Sequence, residues 1–104
     1  MVTESHDHPA RRRYEIWEDG VLVGSVTYRI SHGVIDLIHT EVVPDQQGRG
    51  LAGELVGHVL DDARRRGLGV VPSCPFVRTY IDDRAEAYLD LVPASRRAEF
   101  DWTS

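Results

Sequence analysis

The stretch Asp45-Gln46-Gln47-Gly48-Arg49-Gly50-Leu51-Ala52-Gly53 places three glycines within six positions at the mouth of an apolar-periodic segment. Glycine at a helix entrance lowers helix stability, so something other than folding must compensate. A helix N-terminus carries unpaired N–H groups and a partial positive charge, and glycines there let phosphate oxygens approach the backbone without side chains in the way. A tight strand-to-helix turn built from Gly48 and Gly50 would use the same residues, so the loop alone leaves both readings open. It is not a P-loop, which needs a lysine, because all twelve basic residues are arginine. Nor is it a dinucleotide fingerprint: the glycine spacing differs, and antiparallel hairpins precede it instead of a βαβ array.

The remaining reactive side chains are few. Cys74 is the single cysteine, so it forms no internal disulfide and no cysteine zinc site. It is either a buried small residue or a reactive thiol. His6 and His8 flank Asp7 but lie in a polar, charged N-terminal stretch that reads as a mobile tail over 1–12, so no metal site is expected. Trp17 and Trp102 read as packing residues.

Elements that would position the loop follow from periodicity. Arg13 to Glu18 alternates polar and apolar, Asp19-Gly20 signals a hairpin turn, Val21 to Ile30 forms a second strand, and Val34 to Val43 a third after Ser31-His32-Gly33. These three strands form an antiparallel meander. Pro44 ends it. Leu51, Leu55, Val56, Val59, Leu60 and Ala63 then recur at helical spacing, with Arg64-Arg65-Arg66 in the last turn and Gly67 as the stop. The helix is expected from Gly48 or Arg49 to Arg66. Gly69 to Ser73 reads as a short buried strand returning parallel to its neighbour through a right-handed crossover, and Pro75 to about Tyr88 as a second helix. The fold class is α+β, a mixed sheet, with a domain over 13–92 and a C-terminal tail over 93–104 that Trp102 could dock.

A chain of 104 residues makes one compact domain. Its net charge of −5 argues against broad nucleic-acid binding, no apolar run is long enough for a membrane helix, and the N-terminus has no secretory core. A cytoplasmic protein is expected, and a monomer.

Gln47-Gly48-Arg49-Gly50-Leu51-Ala52 resembles the Q/R-x-x-G-x-G/A pyrophosphate loop of the GNAT superfamily of N-acetyltransferases, with Gln47, Gly50 and Ala52 in the defining slots. Together with His39-Thr40-Glu41-Val42 and Val71-Pro72-Ser73-Cys74-Pro75-Phe76-Val77, it looks like the small single-domain GNAT-like subfamily, over roughly residues 12–92. The resemblance implies acetyl-CoA as cosubstrate, bound where the third and fourth strands splay apart. Pantetheine amides would add to the strand end at Val42 and Val43, and pyrophosphate would rest on Gly48, Arg49, Gly50, Leu51 and Ala52 beside Gln47. The adenine side would approach the helix after Cys74, with Arg78 reaching a phosphate. The acceptor site would be open, because the subfamily lacks the helices that longer members carry after the first strand.

Acetyl transfer to an amine needs a base, a stabilised carbonyl oxygen and a proton for the leaving thiolate. Glu41, near the third strand's end, is the candidate base, directly or through water; it could equally face solvent or pair with an arginine. His39 shares its face by alternation and could relay a proton or be a satisfied histidine, and Asp36 lies further back on the opposite face. A backbone N–H near Val42 or Val43 would serve the oxyanion. Cys74, just before a helix start, could be a covalent nucleophile, a neighbour of the CoA thiol or a structural residue. Tyr80, about two turns into that helix, is offset by about a residue from the family's usual tyrosine that protonates the thiolate. Two functions are carried forward: direct acetyl transfer to an unidentified amine, small molecule or protein, and a non-catalytic or weakly catalytic CoA-binding protein. An unrelated α+β domain is the third reading.

Overall fold

A computed structural model describes residues 2–102. Five strands form one sheet in the order β1-β2-β3-β4-β5, with β1 Thr3–His8, β2 Arg13–Glu18, β3 Val21–Ser31, β4 Val34–Val42 and β5 Gly69–Val71. Strands β1 to β4 pair antiparallel and β5 joins β4 in parallel. Helix α1 (Leu51–Arg65) crosses from β4 to β5, and α2 (Pro75–Asp83) follows, then the short α3 (Ala85–Tyr88). The hairpin turns at Asp19-Gly20 and His32-Gly33 have positive φ at both residues, the twist that a two-residue hairpin requires. No helix among the described residues is long and apolar enough to cross a membrane.

Alternation and helical spacing meet in one core. Tyr14, Ile16, Val26, Ile35 and Leu37 of the sheet bury against Leu55, Val56, Val59, Leu60 and Ala63 of α1. Val77 and Ile81 bring α2 to that core. Trp102 docks the C-terminal segment, its Nε1 donating to Asp82 Oδ1 at 3.0 Å, with Leu91 and Val92 buried before it.

The stretch expected as a mobile tail is corrected at residues 3–8, which form β1, so the meander has four strands. Its inward residues are polar because their partners are: Asp7 Oδ1 accepts from Tyr28 Oη at 2.6 Å and Thr3 Oγ1 donates to Glu54. Hydropathy therefore carries no sign of this strand. At the other end residues 94–100 form 3-10 turns, so the expected tail is ordered through Trp102. Met1 of the first expected tail and Thr103 and Ser104 of the second lie outside the described residues. Helix α2 stops at Asp83, short of Tyr88, because Arg84 leaves helical geometry at φ −130°.

In the β3–β4 register Thr27 faces His39 while Tyr28 faces Leu37, leaving Ile38 as an extra residue, a bulge. Before it, the carbonyls of Gly33 and Leu37 point at β5 and its continuation, accepting from Gly69 and Cys74. Beyond it, the Val43 N–H points back to Val23 on β3, so the even-numbered Thr40 and Val42 turn their backbone groups the other way. Side chains change phase as well: Ile35 and Leu37 are buried, His39 and Glu41 exposed, and Thr40 and Val42 half-buried.

Candidate active site

Strands β4 and β5 pair only at Val34–Gly69, Ile35–Val70 and Asp36–Val71, with one further bond from the Cys74 N–H to the Leu37 carbonyl at 2.8 Å. From Ile38 onward β4 has no strand neighbour on that side among the described residues, so the strands splay. The gap opens onto the glycine loop. Thr40, Val42, Gln46, Gln47 and the backbone from Gly50 to Gly53 line an opening of about 440 Å³, closed on its far side by Phe76 at the start of α2.

The loop delivers a bare helix start. Gly50 is the N-cap of α1 at φ 79° and Gly48 lies at φ 85°, left-handed positions that a side chain would strain. Among the described residues the N–H groups of Gly50, Leu51, Ala52 and Gly53 have no acceptor in the protein; the first helical bond is Glu54 N–H to the Gly50 carbonyl at 3.0 Å. Four donors at the positive end of a fifteen-residue helix therefore face the opening. Gln47 reaches back, its Nε2 3.3 Å from the Val42 carbonyl. Arg49 does not point into the opening: its guanidinium grips Glu18 at 2.8 and 2.7 Å and also meets Gln46. These hydrogen bonds hold the Glu18 carboxyl below its usual range and tether the loop to the end of β2.

On the other face of β4 lies a second opening of about 490 Å³, lined by Arg13, Leu22, Gly24, Ser25, His39, Glu41 and the chain through Val43 and Pro44. His39 Nε2 lies 2.9 Å from Glu41 Oε1, with both side chains largely exposed, at 60% and 69%. Thr40, Val42 and Gln47 border both openings, so the two meet along the free stretch of β4. At their junction the buried Cys74 Sγ lies 3.4 Å from Thr40 Oγ1.

Other expected residues lie elsewhere. Tyr80 borders neither opening. Its hydroxyl presses on α1 at Gly57, 2.7 Å from where a β-carbon would stand, and Arg84 caps its ring at 3.8 Å. Arg78 faces the C-terminal segment, donating to Asp101 Oδ2 at 2.8 Å and the Phe100 carbonyl at 3.0 Å. Asp36 sits before the bulge, in the stretch paired with β5, and its Oδ1 is buried without a partner among the described residues. Two residues that the sequence did not single out line the openings. Phe76 is an exposed aromatic directly after the helix-opening Pro75, and Thr40 is the hydroxyl inside His39-Thr40-Glu41-Val42; those positions were the only signal. No cluster of three potential metal ligands occurs among the described residues.

A sequence-family profile described as GCN5-related N-acetyl-transferase matches residues 13–91, well over half of the chain. Solved structures share the fold. The solution structure of a GCN5-like protein from Staphylococcus aureus superposes with a TM-score of 0.63 at 23% identity, covering 86% of this chain and 87% of that one. A ribosomal-protein-alanine N-acetyltransferase from Brucella melitensis biovar Abortus 2308 gives 0.52 at 24% identity, over 88% of this chain and 62% of that one. The ribosomal-protein-S18-alanine N-acetyltransferase from Escherichia coli gives 0.53 at 22%, over 57% and 40%. The chain thus spans less than two thirds of the length of these two enzymes. No curated protein matches it.

Proposed function

The chain belongs to the GCN5-related N-acetyltransferase family, a family of acyltransferases, and from that premise we propose that it transfers acetyl from acetyl-CoA to an amine by direct attack on the thioester. The observation that carries this reading is the set of unpaired amides from Gly50 to Gly53, opening into a gap bordered by an unpaired strand edge. Those donors suit a diphosphate, and the even-numbered backbone groups at Thr40 and Val42 suit the amides of an extended pantetheine arm. Gln47 would release the Val42 carbonyl to that arm, and Phe76 would pack against it. Arg49 serves as the loop's tether to Glu18, and Val43, at the strand end, borders the acceptor side. The residues present fit acetyl-CoA, which supplies an acyl group activated as a thioester.

The acceptor amine enters from the second opening. The His39–Glu41 pair takes its proton, since an ammonium has no lone pair with which to attack. Glu41 orients the imidazole through Nε2 and leaves Nδ1 as the base, or takes the proton itself through water. Thr40 Oγ1, held beside Cys74 Sγ where the openings meet, is the hydroxyl best placed to donate to a departing thiolate. Cys74 is buried and serves as its packing partner; the pair gives no reason for a covalent cysteine route. Tyr80 and Arg78, tied up elsewhere, are not assigned catalytic or phosphate roles. The protein is proposed to act in the cytoplasm as a monomer, on an amine in a small molecule or a protein, without nucleic acid or membrane.

Calorimetric titration with CoA tests the binding half: saturable binding is expected, and its absence would end this reading. Thioester consumption against a panel of amines tests the chemistry. Glu41→Gln should lower kcat at least tenfold, in line with typical general-base contributions of ~10²–10⁴. CoA binding without turnover of any amine would favour the second reading, a CoA-binding protein without catalysis.

A further inference from the structure

Resting on the acyl-transfer reading above, we propose that the acceptor is an amino-carboxylate of amino-acid to dipeptide length, its carboxylate held by Arg13 while its amine meets the His39–Glu41 pair. Arg13 lines the second opening together with His39 and Glu41. Its side chain is pinned from one side only. Nε donates to Glu15 Oε2 at 2.7 Å, and Glu15, 2% exposed, also accepts from Trp17 Nε1 at 3.1 Å. Glu15 is a built anchor: burial alone would raise its carboxyl, but the hydrogen bonds from Arg13 and Trp17 outweigh burial and hold it below its usual range.

The terminal nitrogens of Arg13 have no partner among the described residues, whereas Arg49, Arg64, Arg65, Arg66, Arg78 and Arg96 each turn one onto a carboxylate. An exposed arginine is usually just solvated, but this side chain is only 24% exposed and its stem is fixed. A guanidinium anchored through Nε with its fork open is a bidentate carboxylate receptor.

Register supplies the spacing. Arg13 pairs with Thr27 and Thr27 with His39, so the arginine and the histidine stand two strands apart, about 9–10 Å between backbones. In the next row Ser25 separates Glu15 from Glu41, and this small residue with neighbouring Gly24 floors a trough between the arginine and the base. Charges in the trough follow a zwitterion, with Glu41 at the amine end and Arg13 at the acid end. A diamine would bring its second ammonium against Arg13, so the arrangement rejects it. In the step itself the amine nitrogen bonds the acetyl carbon and the carbon–sulfur bond breaks. The nitrogen's proton passes to the His39–Glu41 pair, and the CoA thiolate leaves and is protonated.

Glycylglycine and glycylglycinamide share an amine and a length and differ in the carboxylate. With the full chain and acetyl-CoA, glycylglycine should show at least tenfold higher kcat/KM, mostly through KM. Arg13→Gln should erase the difference, and so should Arg13→Lys, which keeps a cation beside Glu15 but lacks the fork. A second readout is the NMR signal of the Trp17 indole N–H, one hydrogen bond from the Glu15 anchor. Glycylglycine should shift it saturably in the wild type, and neither glycylglycinamide nor either variant should reproduce the shift. Equal use of both peptides, or a Trp17 shift that survives the variants, overturns the proposal and leaves acetyl transfer standing. If neither peptide is acetylated, the Trp17 titration alone decides: a carboxylate-dependent shift sustains the site and its absence removes it. If CoA itself fails to bind, the parent reading falls, and the same titration without CoA judges the carboxylate site separately.

Discussion

At its C-terminal end α1 is tied down on every side. Gly67 and Leu68 close the last turn onto Arg64 and Ala63, and Tyr14 Oη donates to Asp62 while accepting from Arg66 at 3.0 Å. Arg64 clamps Asp90 at 2.8 and 2.9 Å, and Tyr88 donates to Asp61 at 2.9 Å. At the N-terminal end the cap is a left-handed glycine with no side chain, and successive amides are left open to a cleft. One helix thus divides two tasks. Its far end holds the sheet, the helix and the C-terminal segment together, while its near end leaves its donors unsatisfied by the protein beside an opening, where the proposed function puts a ligand.

Substitutions at the two ends should separate the tasks. The largest effect is expected from Gly50→Val: a β-branched residue at φ 79° is strained and should displace the amides, weakening CoA by about 10–100-fold, or ~1.4–2.8 kcal/mol. Unchanged affinity by calorimetry would move the diphosphate site elsewhere. Next comes Tyr14→Phe at the other end. It removes a buried hydroxyl that joins Asp62 and Arg66 and should lower stability by about 1–2 kcal/mol, roughly 4–8 °C of Tm for each kcal/mol, with CoA affinity retained. Loss of affinity together with stability would show that the ends are not separate.

Acid should act through the closed end. Burial alone would raise the Asp62 carboxyl, but hydrogen bonds from Tyr14 and Arg65 outweigh it and place it below 3.8. A carboxyl lowered in the folded state stabilises above its unfolded value and loses that contribution as pH falls from about 3.8 through its folded value. Asp62→Asn should therefore flatten the fall of Tm below pH 4, whereas Gly50→Val should leave its slope alone. The smallest change is expected from Arg49→Ala, which frees the loop from Glu18 and should weaken CoA about two- to fivefold. A larger loss would return Arg49 to direct phosphate contact.

What the sequence made legible follows the range of each interaction. Asp19-Gly20 dictates its hairpin locally, and the apolar spacing from Leu51 to Ala63 dictates α1 within a few turns. The glycine loop was readable because its peculiarity lies in consecutive residues. Strand β1 was not, since Thr3 and Asp7 face inward onto polar partners and leave no apolar alternation. The partner of Arg49 lies on β2, far off in the chain, so charge alone suggested a phosphate where the fold supplies Glu18. Tyr80 sat at a plausible position along α2, but its direction depends on how α2 crosses α1 at Gly57. The meeting of Thr40 with Cys74 depends on where β4 and β5 part, which no local pattern encodes.

The unpaired residue at Ile38 makes the strands' alignment itself a carrier of information. Were Ile38 to take the place opposite Thr27 instead of bulging, composition and hydropathy would be unchanged, yet residues 39–43 would turn by half a period of the pleat. His39 and Glu41 would swing toward the apolar interior and Thr40 would leave Cys74 for solvent, whereas deleting Ile38 outright would keep every later residue on its present face. A library of point substitutions would overlook this dependence; a scan of single-residue insertions and deletions along β4 would expose it at once.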